Sequence, residues 1–234
     1  MSSPIQLPLG IQLRDDATFA NFYSGRNQPV VMALSLDAAE YGQAEPYVFI
    51  YGSPGVGCSH LLQAACHEAD LHQLKSVYLP LAELLPYGPV VLDSLETLDV
   101  ICIDELQAVA GNRQWEEALF HLFNRVKDAK RRLLIAASSP PKDIGINLPD
   151  LLSRLSWGVV FQVLPLTDEE KVTALQLRAH MRGLDVSDEV ARYILYRSPR
   201  STQALFSALD QLDKASLRAK RKLTIPFVKQ VMDW

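Results

Sequence analysis

The segment Gly52-Ser-Pro-Gly-Val-Gly-Cys-Ser59 constrains this chain more than any other. It follows the β-rich run Tyr47-Val-Phe-Ile-Tyr51 and opens a stretch with helical spacing, Leu61, Leu62, Ala65 and Ala69. A glycine-rich turn between a strand and a helix lets backbone N–H groups turn inward at the helix N-terminus, where the dipole favours an anion. The spacing is that of a P-loop, G-x4-G-K-[ST], with both glycines and the Ser in place. Gly52, Pro54, Gly55, Val56, Gly57, Cys58, Ser59 and His60 are therefore the candidate nucleotide-binding set. The cation of the pattern is missing, because Cys58 stands where the Lys belongs. A neutral thiol cannot neutralise the β- and γ-phosphates, and losing one charge-assisted contact costs about 1.5–3 kcal/mol of binding. The loop favours phosphate binding over competent hydrolysis, with an unliganded strand-to-helix turn as the alternative.

The same alternation of strand and helix continues to residue 167. Ser76–Leu79, Leu98–Ile103, Arg132–Ala137 and Val159–Val163 read as four further strands. Between them Trp115, Leu119, Leu122, Phe123 and Val126 fall on one helical face. Continuous apolar strands between helices predict a five-stranded parallel sheet covered on both faces, a three-layer αβα domain. The tail differs. Thr167 followed by Asp-Glu-Glu predicts a capped helix start, with Glu170 three residues on. Helices fit 168–182, 188–197, 201–218 and 225–232, the last starting at Thr224 with Pro226 in its first turn. This predicts a small all-α lid. The chain divides into an N-terminal segment 1–12, an α/β domain 13–166 and a helical domain 167–234.

Charge supports the boundary. Residues 1–167 hold eleven basic and eighteen acidic side chains, whereas 168–234 hold twelve and nine. An excess of three over that length reads as a solvated helical surface rather than a nucleic-acid face. The apolar share of 48% excludes a disordered chain. No apolar run reaches the roughly 18–20 residues a membrane helix needs. MSSPIQLPLGIQL lacks the basic start of a secretory signal. Cys58, Cys66 and Cys102 have no CxxC spacing, so neither a disulfide framework nor a zinc knuckle is expected, and a reducing cytoplasm suits the chain.

Further chemistry clusters after the loop. Val100-Ile-Cys-Ile-Asp104-Glu105 has the form of a Walker B strand: Asp104, with Ser59, can hold Mg²⁺, and Glu105 can polarise an attacking water. Ser138 and Ser139 close the fourth strand, where a sensor of the γ-phosphate can sit. In Leu148-Pro-Asp-Leu-Leu-Ser-Arg154-Leu-Ser-Trp-Gly158, an Arg on a short helix can leave its own domain. It can then reach a neighbour's ATP as an arginine finger, an intrachain salt bridge being the bland alternative. Near the N-terminus, Gln6 precedes Leu7, Leu9 and Ile11 at alternate positions, as in an extended docking peptide or an apolar first strand.

Taken together these motifs resemble the DnaA-type branch of the AAA+ ATPases, and within it the DnaA-related inactivators of the Hda type. Thr18-Phe-Ala-Asn-Phe22 with Gly25 is similar to the motif beside the family's adenine pocket. The loop at 52–59, Asp104-Glu105, Ser138-Ser-Pro-Pro141, the Arg154 segment and Lys222–Lys229 follow in family order. The resemblance implies an AAA+ fold. It also implies a regulator that sits on the DNA-loaded β sliding clamp, stimulates hydrolysis of DnaA-bound ATP with Arg154 as the trans finger, and represses initiation of DNA replication. Gln6, Leu7, Leu9 and Ile11 would be the clamp peptide, DNA would be met indirectly through the clamp, and no membrane is involved. Self-association stays open. The bound nucleotide is expected to be ADP, held weakly or absent, and Mg²⁺ is optional. The sequence ends with the lid, so the duplex-reading helix-turn-helix of DnaA initiators is expected to be absent. Departures from the family are Cys58 at the P-loop cation, Gln203 at the sensor-2 Arg with Arg200 one turn earlier, and Ser139 in place of an acid. The alternatives are an ATPase turning over its own ATP, akin to helicase loaders, and a nucleotide-free clamp-tethered adaptor.

Overall fold

Strand order is what places the candidate residues. The computed structural model describes residues 13–36, 45–199 and 201–234. Five parallel strands, β1 (Tyr47–Tyr51), β2 (Ser76–Pro80), β3 (Val100–Asp104), β4 (Arg132–Ala137) and β5 (Val159–Gln162), line up in the order β2-β3-β4-β1-β5. Side chains alternate between two apolar layers. Val48, Ile50, Val100, Cys102, Leu134 and Ala136 pack on helices α1 (Gln28–Leu34) and α2 (Cys58–Leu71). Phe49, Ile101, Ile103, Leu133 and Ile135 face the opposite side. The single turn α3 (Leu81–Leu84), α4 (Arg113–Asp128) and α5 (Pro149–Leu155) pack there. The predicted face Trp115, Leu119, Leu122, Phe123 and Val126 is buried as a unit.

Four strand ends differ from their expected places: β2 extends to Pro80 and β3 to Asp104, and two others shorten. β3 begins at Val100 rather than Leu98, because Asp99 closes the preceding turn. Its carboxylate accepts the Lys75 N–H at 2.9 Å and the Arg131 guanidinium at 2.6 Å. β5 stops at Gln162, although Val163 still donates to the Tyr51 carbonyl at 2.7 Å. The buried Arg132 guanidinium ends α1 by donating to the carbonyls of Leu34 at 2.9 Å and Ala33 at 2.6 Å. A cation at exposed C-terminal carbonyls satisfies acceptors that the helix leaves unpaired.

The tail folds as helices α6 (Asp168–Met181), α7 (Asp188–Arg197), α8 (Thr202–Ala219) and α9 (Ile225–Met232) around their own apolar core. Thr167 and Glu170 form a complete capping box, and Ser187, Ser201 and Thr224 cap the other three. Two long-range ion pairs tie this lid to the α/β layers, Arg26 to Glu170 and Asp16 to Arg178. The three cysteines are free thiols. Among the described residues no helix is long and apolar enough to cross a membrane.

A cleft at the carboxyl end of the sheet

Parallel sheets present ligand sites beyond the carboxyl ends of their strands. Here the glycine loop leaves Tyr51, Asp104 ends β3, and Ala137 ends β4 just before Ser138. They open on a cleft of about 550 Å³ that also receives the lid residues Arg178, Gln203, Phe206 and Asp210. All eight candidate loop residues line it, with Asp104 and Glu105. So do Asn21 and Phe22. Arg200 and the N-terminal set Gln6, Leu7, Leu9 and Ile11 lie outside the described residues.

The loop has the form of an anion cradle. Gly57 holds φ at +111°, a left-handed backbone, and a Cβ there would meet the Phe22 ring at 2.8 Å. Only glycine suits both conditions. Helix α2 begins without a side-chain cap and without an acid in its first turn. Its leading N–H groups are therefore available to a ligand. His60 lies in that turn and hydrogen-bonds the Thr18 carbonyl at 2.8 Å. Burial holds its pKa below the usual histidine value. The ring is thus neutral near pH 7, and a neutral ring facing a carbonyl carries its proton on Nε2. A nucleotide fits this cradle.

The groups for turnover do not fit as well. Burial, then the Asp104 charge, pushes the Cys58 thiol up to about 12, so it stays a neutral thiol. Asp104 is only 3% exposed. One of its oxygens accepts the Tyr78 hydroxyl at 2.6 Å and the other its neighbour's N–H, from Glu105, at 2.8 Å. Both oxygens expected to serve Mg²⁺ are engaged. Among the described residues no group of three carboxylate, His or Cys side chains is arranged to hold a metal. The described side chains thus form no metal cage of their own, and a Mg²⁺ here would rest on Ser59 and Asp104 together with nucleotide phosphates and water. Glu105 sits at φ +56°, unusual for a non-glycine residue. Burial, followed by the nearby Asp104 and Glu83 charges, raises its pKa. The cations lining the cleft are Arg14 and Arg178, neither of which belongs to the expected set.

Arg154 lies at the other end of the sheet. It lies in the last turn of α5, and Gly158, just before β5, packs on the first residue of β1: a Cβ there would sit 2.0 Å from the Tyr47 carbonyl oxygen. The glycine loop leaves the far end of β1, about 13 Å along the strand. The Arg154 guanidinium lies 4.7 Å from the Trp157 ring centre, with Lys127 4.0 Å from the same ring. Among the described residues it makes no ion pair. The start of α5 is held by Glu116, in the first turn of α4. This carboxylate, 1% exposed, accepts the N–H groups of Gly111 at 2.7 Å, Asn147 at 3.0 Å and Leu148 at 2.8 Å. It fixes the loop that leads into α5. Sequence reasoning missed this role, because Glu116 reads as an ordinary first-turn acid of a helix.

Comparison with known proteins joins the two ends. A family model described as the bacterial DnaA ATPase domain matches residues 13–85 and 91–162. The chain belongs to the DnaA-related AAA+ family. A second model, described as the lid domain of Hda, matches residues 168–232, so the lid of this DnaA-related chain is of the Hda type. Among solved structures, domain III of the DnaA replication initiation protein of Thermotoga maritima aligns with a TM-score of 0.78 at 21% identity. That alignment covers 95% of this chain and 98% of the other. AMPPCP-bound DnaA of Aquifex aeolicus gives a TM-score of 0.69 at 23% identity, covering 86% and 66%. A RuvB structure of Thermotoga maritima gives 0.69 at 18%, covering 93% and 71%. At these identities the likeness is one of fold.

Proposed function

We propose that this DnaA-related chain is a regulatory adaptor. It stimulates hydrolysis of the ATP bound to the initiator DnaA by supplying Arg154 in trans, and thereby represses initiation of replication. Residues 1–12 form the clamp-binding unit, with Gln6, Leu7, Leu9 and Ile11 seated on the DNA-loaded β sliding clamp. Residues 13–166 form the AAA+ unit and 167–234 the lid. The observation that carries the reading is the position of Arg154: without an ion pair among the described residues, stacked on Trp157, at the opposite end of β1 from the chain's own cradle. A guanidinium so held can stabilise charge on a transferred phosphoryl group only when the nucleotide belongs to another chain. The chain's own site holds ADP for structure, through the backbone of residues 52–60. Hydrolysis of its own ATP is disfavoured by the neutral Cys58 and by the engagement of Asp104 with Tyr78.

The reading is tested by separating docking from chemistry. Gln6→Ala with Leu9→Ala should abolish binding to DNA-loaded clamp and leave thermal stability within about 0.5 kcal/mol, as for surface changes. Arg154→Ala should bind the clamp as wild type does and fail to stimulate DnaA. A double variant that still binds the clamp, or an Arg154→Ala chain that still stimulates, contradicts the proposal.

A further inference from the structure

We infer that Arg178, carried by the first lid helix, is the cation of the nucleotide cleft: its free guanidinium edge receives a phosphate of the bound nucleotide, the charge that position 58 lacks. The inference rests on reading the cleft as a nucleotide site. Arg178 is 5% exposed, yet it lines the cleft. Its Nη2 donates to the Asp16 carboxylate, and the Phe206 ring lies 4.5 Å from its Cζ. Its Nε is buried with no hydrogen-bond partner, and the guanidinium forms no other hydrogen bond among the described residues.

Leaving a buried donor of a charged group unpaired costs free energy, and such groups are otherwise paired in folded proteins. An arginine can bind a carboxylate and a phosphate at once, because its fork offers five donors in a plane. Asp16 takes one corner and Phe206 takes the face, so the remaining edge is held rigidly without being used. Asp104, Glu105 and Asp210 also line the cleft, and Asp210 favours the Arg178 charge without bonding its guanidinium among the described residues. The one remaining cation there, Arg14, is itself turned to Asp16. A phosphate is the ligand group that meets this edge with charge and acceptors together. Because the residue sits on the lid, the same contact would couple lid position to occupancy of the cleft.

The test is calorimetric titration of the full chain with adenosine, AMP and ADP in metal-free buffer. Wild type is expected to bind ADP more tightly than adenosine. Arg178→Gln is expected to lose roughly 10- to 100-fold in ADP affinity, the range of one charge-assisted hydrogen bond, and to keep its adenosine affinity within a few-fold. Arg26→Gln cuts the other lid ion pair, outside the cleft, and should leave both affinities unchanged. Where Arg178→Gln does not fold, Arg178→Lys keeps the charge without the planar edge and should lose ADP affinity by an intermediate factor. The inference is overturned if ADP affinity is unchanged in Arg178→Gln, or if adenosine and ADP weaken together, or if Arg26→Gln produces the same loss. A folded wild-type chain that binds none of the three ligands overturns the nucleotide reading itself, and this inference with it.

Discussion

The two ends of the sheet differ in how their charged groups are committed. At the carboxyl end, Asp104 is engaged by Tyr78, Cys58 is a neutral thiol, and Arg178 is turned partly to Asp16. At the amino end, Arg154 has no ion pair among the described residues, and its helix starts from a loop held by the buried Glu116. An active site must pre-position the groups that meet charge in the transition state. Under the proposed function, the amino end does this for an arginine finger. The carboxyl end retains the cradle of a nucleotide site, with Asp104 engaged by Tyr78 and no cation at position 58. On the proposed reading, one fold keeps the capacity to act on another nucleotide without turning over its own.

The comparison breaks most readily at Glu116. Replacing it with Ala would leave the N–H groups of Gly111, Asn147 and Leu148 buried without an acceptor. A loss of about 2–4 kcal/mol in urea unfolding is expected, at about 1–3 kcal/mol for each such group before relaxation. A loss under about 0.5 kcal/mol would show that the start of the Arg154 helix is not built on this carboxylate. Gly158→Ala attacks the other end of the Arg154 segment by overpacking against the Tyr47 backbone, and about 1–3 kcal/mol is expected in the same assay. An unchanged unfolding midpoint would contradict the close approach.

The carboxyl end can be sharpened by restoring what it lacks. Cys58→Lys should tighten ADP binding by about 1.5–3 kcal/mol, seen by calorimetry. It should not produce steady-state ATP hydrolysis while Tyr78 holds Asp104. Hydrolysis that appears with Cys58→Lys alone, and disappears with Glu105→Gln, would favour the self-sufficient ATPase instead. Flat ADP affinity would mean that the loop is not a phosphate cradle.

The smallest effect is expected at the lid. Hydrogen bonds from Arg26, then from the Thr167 backbone, hold the Glu170 carboxyl down to about 2, against an ordinary value of 4.5. A lowered folded-state pKa contributes stability that is present above the ordinary value and lost as pH falls towards the folded one. Thermal stability should therefore decline between about pH 5 and pH 2. Glu170→Gln should start lower and decline less over that window. The difference should shrink in high salt, because Arg26 is half exposed. Parallel pH profiles for the two proteins would remove Glu170 from the account.

What the sequence made legible follows from range. β1 and β4 were readable to the residue, because strands buried on both faces form uninterrupted apolar runs. The glycine loop and the lid caps were readable because a turn or cap is decided within a few residues. The commitments that distinguish the two ends were not. The Tyr78 hydroxyl reaches Asp104 only because β2 and β3 pair in parallel, Pro80 opposite Asp104. Asp16 and Arg178 meet across 162 positions of chain. Glu116 supports the Arg154 helix from 31 residues upstream. Cys58 could be recognised as the missing cation, but nothing local pointed to Arg178 as the buried cation of the cleft.

The central claim is that Arg154 acts on a nucleotide held by another chain. Its most direct test is single-turnover hydrolysis of ATP preloaded on the cognate DnaA, with DNA-loaded clamp and either wild-type protein or Arg154→Ala. The account predicts acceleration by wild type and its loss in the variant, by a factor on the order of 10³ or more for an arginine finger. Equal acceleration by both, with clamp binding intact, would contradict it.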